Sequence, residues 1–168
     1  MKQFIQIRCK NNKKTAKVAI GSTLYDVFHE LNLDMPYGPV NAKVNNKIEG
    51  MHYRLYHNKD IEFLDLHSPS ALRTYTRTLF FVLCKAVRDL YPHSRVVIDI
   101  PVSNGYYVDL DIQRPITPDD ANAIRQRMQE IVEARMPISR HETTTEAAIE
   151  MFKKVGDESK VRLLETVG

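Results

Sequence analysis

Apolar and polar positions alternate along the first twenty residues. In "FIQIRC" the residues Ile5, Ile7 and Cys9 share one side. In "TAKVAI" the residues Ala16, Val18 and Ile20 do the same, and "KNNKK" lies between them. A period of two on both sides of a polar turn predicts an antiparallel strand pair. At "GSTLYDVFHELNL" the period changes. Leu24, Val27, Phe28 and Leu31 recur at three- and four-residue spacing behind Ser22 and Thr23, either of which can cap a helix. "DMPYGP" stops that helix. "VNAKVNNKIE" reads as two short strands around an Asn-Asn turn, since Asn tolerates the left-handed conformation. "DIEFLDL" supplies a last strand with Ile61 and Phe63 inward. This order fits a β-grasp sheet with its helix on one face.

"HSPSAL" is a junction in which Ser68 suits a cap and Pro69 the first helical turn. From there Leu72, Tyr75, Leu79, Val82, Leu83, Ala86, Val87 and Leu90 keep helical spacing until Tyr91-Pro92. "RVVIDIPV" and "GYYVDLDI" are strands joined at Ser103-Asn104-Gly105, a hairpin signal. "TPDDANAIRQRMQEIVEARM" is a helix capped by Thr117, with Pro118 first and Asp119 and Asp120 at its positive end. Its expected buried stripe is Ala121, Ile124, Met128, Ile131 and Val132. "PISRHE" is expected as a short strand. "TTEAAIEMFKKVG" is a helix with Met151 and Phe152 inward and Gly156 as its stop, and "DESKVRLLETVG" begins another. The chain thus reads as α+β, with domains at 1–66 and 67–168.

Composition narrows the picture little. Hydrophobic residues make up 43% and charged residues 27%, as in ordinary globular proteins. No apolar run approaches a membrane span, and the alternating N-terminus is unlike a signal peptide. Cys9 and Cys84 form no motif, which points to a reducing compartment, with the cytoplasm as the default. The net charge of +3 is too small to imply nucleic-acid binding by itself. Its distribution adds something, because residues 1–17 carry Lys2, Arg8, Lys10, Lys13, Lys14 and Lys17 and no acid. Lys10, Lys13, Lys14 and Lys17 are therefore candidates for binding an anion or RNA, against the plainer reading of a solvated turn.

Candidate chemistry is sparse. No P-loop, H-E-x-x-H, C-x-x-C or G-x-S-x-G is present. His52 and His57 lie five apart but lack further ligands, and no metal site is expected. His93 suits a helix end better than a base. Asp109 and Asp111 share a strand face that is expected to be solvated. Tyr106 and Tyr107 point to opposite faces, so at most one lines a pocket with Asp109.

The residues "GSTLYDV" and "VNNKIEG" resemble the TGS domain, a β-grasp module at the N-terminus of threonyl-tRNA synthetases and in some regulatory GTPases and stringent-response enzymes. The match covers about residues 1–65 and departs at Asn46, where Gly is usual. "LYPHSRVVIDIPVSNGYYVDLDIQRPITPDD" and "GDESKVRLL" resemble the second N-terminal domain of threonyl-tRNA synthetase, a domain shared with alanyl-tRNA synthetase editing regions. The resemblance implies an editing-like α+β module, truncated on its C-terminal side. Editing members hydrolyse mischarged aminoacyl-tRNA with an H-x-x-x-H pair on the helix before L-[WY]-P. Threading back from Pro92 puts Arg77 and Phe81 at those positions, and neither can serve as a base or metal ligand. Lys160 matches the lysine of G-x-x-x-K, near the family's pocket. No catalytic residue is expected.

The same domain order resembles the N-terminal half of a bacterial uridine or nucleoside kinase family, the phosphoribulokinase/uridine kinase type. That resemblance implies a ligand- or RNA-binding regulatory region. Its partner would be a downstream kinase domain of the same chain that holds ATP and Mg. The alternatives are a tRNA-binding or editing region of a threonyl-tRNA synthetase, and a stand-alone RNA-binding module. No membrane association is expected.

Overall fold

The early alternation becomes β1 (Phe4–Cys9) and β2 (Thr15–Ala19), antiparallel with Ile7 opposite Ala16. The computed structural model describes residues 3–103, 105–139 and 141–167. The chain is α+β and divides into two compact units, Met1–Val132 and Glu133–Gly168.

In the first unit, α1 (Leu24–Glu30) follows β2 and is capped by Thr23. The Thr23 hydroxyl accepts from the Asp26 amide while the Asp26 carboxylate accepts from the Thr23 amide, a reciprocal capping box. Then come β3 (Asn41–Val44), β4 (Lys47–Gly50) and β5 (Lys59–Leu64). The sheet order is β2-β1-β5-β3-β4, with β1 and β5 parallel and the other neighbours antiparallel. Asn45 and Asn46 both take positive φ, 46° and 70°, so Asn46 supplies the left-handed turn without glycine. Ile5, Ile7, Cys9, Val18, Ile61 and Phe63 meet Leu24 and Val27 of α1 in one buried cluster. Asn11 extends the pairing of β1 with β5 by its side chain: it donates to the Phe63 carbonyl at 2.9 Å and accepts from the Phe63 amide at 2.8 Å. Ile20 departs from expectation. It lies one residue past β2 and is 40% exposed.

α2 (Pro69–Leu90) starts against the end of β3, where Asn41 donates to the Thr74 hydroxyl at 3.0 Å and Ala71 is fully buried. Ser68 has the extended backbone of a cap but makes no side-chain capping bond. Two antiparallel strands follow, β6 (Arg95–Val102) and β7 (Gly105–Asp111), with Val102 paired to Gly105. Asn104 of the expected turn lies outside the described residues, as does Lys2 of the basic edge. α3 (Pro118–Glu133) buries Ile124 and Ile131 against Ala86 and Val87, with Leu83, Val96, Leu110 and Met128 around them. Only the C-terminal half of α2 is covered in this way. Leu72, Tyr75 and Leu79, expected in the core, are exposed because the buried cluster of this region takes in α2 side chains only from Val82 onward. Ala121 and Val132 are also exposed, so the buried stripe of α3 is narrower than its spacing suggests.

One carboxylate joins these pieces. Asp120, 6% exposed, accepts from the Tyr91 hydroxyl at 2.6 Å and from both terminal nitrogens of Arg114 at 2.7 Å. It also accepts from the Thr117 amide and hydroxyl at 2.9 and 2.8 Å. The Arg114 hydrogen bonds first, then those from Tyr91 and Thr117, hold its carboxyl well below the usual carboxylate range. "LYP" and "RPITPDD", which carry much of the family resemblance, therefore meet in a structural clamp.

In the second unit, α4 (Thr145–Lys154) is capped by Thr144. Gly156 at φ 73° reverses the chain into α5 (Glu158–Val167), whose first amides include a bond from Lys160 to the Asp157 carboxylate. Val161 is buried and Phe152 half-buried, but Met151 is exposed. The described part of "PISRHE" forms no strand. Pro137 has no N–H to donate, Ile138 is 62% exposed, and no neighbouring edge pairs with the segment.

This packing sets the expected cost of two kinds of substitution. Phe63→Ala, at a 2%-exposed position, should cost about 3–5 kcal/mol in denaturant unfolding, while Phe81→Ala should change stability by less than about 0.5 kcal/mol. Asp120→Asn should lower the melting temperature at neutral pH. Because the folded carboxyl is depressed below its unfolded value near pH 4, the stabilisation is present above that pH and lost as pH falls through the folded value. Thermal melts from pH 7 down to pH 2 should therefore show a shallower acid decline for Asp120→Asn than for the parent chain.

Candidate nucleic-acid interface

The faces of α2 can be assigned from its 3.6-residue turn. Ala86 and Leu83 mark the covered face. Arg73, Arg77 and Phe81, each four residues apart, line the opposite, outward face, and all three are exposed. Phe81 is 63% exposed. Phe80 turns instead toward the hairpin and meets the ring of Tyr106 edge-on, with centroids 4.8 Å apart. Arg77 lies one turn before Phe80, so Tyr106 borders the same end of the helix. Tyr107, the next residue on β7, points to the other hairpin face and is 59% exposed. Asp109 is exposed opposite Val97. The expected pocket of Tyr106, Tyr107 and Asp109 is thus divided by the pleat, and of the three only Tyr106 is shown in ring contact with α2.

The basic edge occupies the turn from β1 to β2. Lys13 and Lys14 are exposed within it, and Lys13 takes a positive φ of 58°. Lys17 on β2 lies over the Phe4 ring at 5.4 Å, and Lys10 reaches Asn46. Beside this edge the outer sheet face holds an open depression of about 490 Å³, bordered by Gln6, Arg8, Thr15, Asn58 and Asp60. Arg8 is held in an ion pair with Asp60 across the strands. The hydrogen bond from Arg8 lowers the Asp60 carboxyl and raises the guanidinium in turn. Arg8 is thereby engaged, whereas Lys59, which also borders the depression, makes no ion pair among the described residues.

Lys160 belongs to the second unit, exposed in the first turn of α5. The "GDESK" stretch around it works locally, since Gly156 ends one helix and the Asp157 side chain caps the next. Among the described residues no three His, Cys, Asp or Glu side chains converge as metal ligands, and no helix is long and apolar enough to cross a membrane.

Two features are not singled out by the sequence patterns above. Arg73 is one, although the stretch from Pro69 to Arg88 contains no Asp or Glu, and that absence is itself a signal in the sequence. The Arg114–Asp120 pair is the other, because nothing local marks Asp120 as buried.

No protein-family model matches the chain. The chain is similar to curated threonine–tRNA ligases. It is 28% identical to the one from Geobacter sp. (strain M21), over 88% of this chain and 23% of that protein. To the Desulforamulus reducens ligase it is 30% identical, over 96% and 25% respectively. To the Syntrophotalea carbinolica ligase it is 34% identical, over 75% and 20%. The chain spans about a quarter or less of the length of these relatives. They overturn the expected uridine or nucleoside kinase assignment and the regulatory role tied to it: these relatives are ligases for threonine and tRNA, and nothing in them points to a kinase.

Proposed function

We propose that this chain is a tRNA-engaging N-terminal region of a threonyl-tRNA-synthetase-type protein. Residues 1–66 act as a TGS-type β-grasp module and residues 67–168 as a module related to the synthetase's second N-terminal domain. The observation that carries the reading is continuous similarity to a threonine–tRNA ligase across 96% of the chain. It runs through both hydrophobic clusters, not through one borrowed module. Lys10, Lys13, Lys14 and Lys17 supply phosphate contacts at the sheet edge.

Binding here is not coupled to editing by the family's histidine pair. Hydrolysis of an aminoacyl ester needs a group that takes a proton near neutral pH. At the two positions in question stand Arg77, whose guanidinium is a donor and no general base, and Phe81, which has no polar atom. Lys160 remains available as an anion contact in the second unit.

Two measurements test this reading. Fluorescence anisotropy with a tRNA transcript should show binding that weakens steeply from about 50 to 200 mM salt, as displaced counterions require. No binding at the lower salt would end the proposal. Incubation with mischarged aminoacyl-tRNA should release amino acid at the rate of buffer alone. Release well above buffer would place a hydrolytic site where none is argued.

A further inference from the structure

The outward face of α2 carries an unusual combination. Among the described residues Arg73 and Arg77 make no ion pair, although other cations in this region do: Lys85 and Arg127 both reach Asp89. The absence of acid from Pro69 to Arg88 means that the helix cannot neutralise them locally. Phe81 continues their line one turn further and is 63% exposed. A surface phenylalanine this open buries little apolar area, so its packing does not account for it. The three side chains span about 12 Å along the helix, at 1.5 Å per residue.

We propose that Arg73, Arg77 and Phe81 form a single-stranded RNA contact. The two guanidiniums hold successive phosphates, and a base stacks on the Phe81 ring. The chemistry selects this partner. Planar guanidinium groups match phosphate oxygens in paired hydrogen bonds. An exposed aromatic ring accepts any unpaired base by its face. A base inside a duplex has both faces covered and cannot use Phe81, so a duplex gains only the two phosphate contacts. Phe80 and Tyr106, packed edge-on, brace the helix at this point from the hairpin side. The contact rests on the tRNA-engaging reading above and names the side chains that would serve it.

The test uses the whole 168-residue chain, a mixed-sequence single-stranded RNA of about 12 nucleotides, the matching RNA duplex and a tRNA transcript. Phe81→Ala should weaken the single strand by roughly 5- to 150-fold, with Phe81→Tyr near the parent, and should leave the salt slope unchanged. Arg73→Ala with Arg77→Ala should weaken single strand and tRNA alike. It should also reduce the salt slope by about 1.4, for two phosphate contacts at about 0.7 each. Equal losses of single strand and duplex with Phe81→Ala would overturn the stacking. If the α2 variants leave tRNA affinity unchanged while alanines at Lys10, Lys13, Lys14 and Lys17 reduce it, the α2 contact is overturned and the broader reading stands. If the parent chain binds none of the three RNAs, both fall. Unchanged melting temperatures for the variants separate lost contact from lost fold.

Discussion

Asp120 ties together three parts of the chain at one buried carboxylate. Tyr91 stands just past the end of α2, Arg114 just past the hairpin, and Thr117 at the start of α3. A carboxylate with so little exposure would be costly without partners, since a buried charge must be paired and hydrogen-bonded. Here every donor comes from a different point of the fold, so the charge is satisfied only when all three are in place. The apolar cluster of Ala86, Val87, Ile124 and Ile131 then closes beneath it. Hydrophobic burial alone fixes such elements loosely, and the directional bonds to Asp120 select one arrangement among those the cluster would tolerate.

The clamp also explains how much could be read from the residues. Local period was enough for the strands of the five-stranded sheet. Ile5, Ile7, Cys9, Ile61 and Phe63 are all buried, as alternation requires. The Asn45–Asn46 turn and the Thr23 and Thr117 caps were equally legible, because each depends on neighbours a few residues away. Reading failed where the outcome depended on a distant surface. Leu72 and Leu79 share the stripe of Ala86, yet the stripe is covered only where the hairpin and α3 pack against it. "PISRHE" has the composition of a strand, but its described residues pair with no strand. Asp120 looked like a helix-dipole residue, and its burial came from Arg114 and Tyr91, six and twenty-nine positions away.

The family resemblance behaved in the same divided way. Tyr91, Thr117 and Asp120 sit in the clamp, and Gly156 and Asp157 form a helix stop and cap. These motif positions specify a fold. They say nothing about hydrolysis or phosphoryl transfer. A kinase assignment built on domain order therefore rested on residues whose work is structural, and the comparison with threonine–tRNA ligases corrects it.

Arg77 and Phe81 stand apart from that structural set. Both are exposed, so packing does not prescribe their identity, and many residue types would fit there at similar stability. What occupies such positions is decided by what the surface meets. A helix stretch without acid from Pro69 to Arg88, whose Arg73 and Arg77 make no ion pair among the described residues, repels cations and attracts polyanions, and an open aromatic ring beside them adds a flat apolar face. At the two positions that the resemblance aligns with an editing pair stand a guanidinium and a phenyl ring, and the proposed contact asks of them only a phosphate and a base.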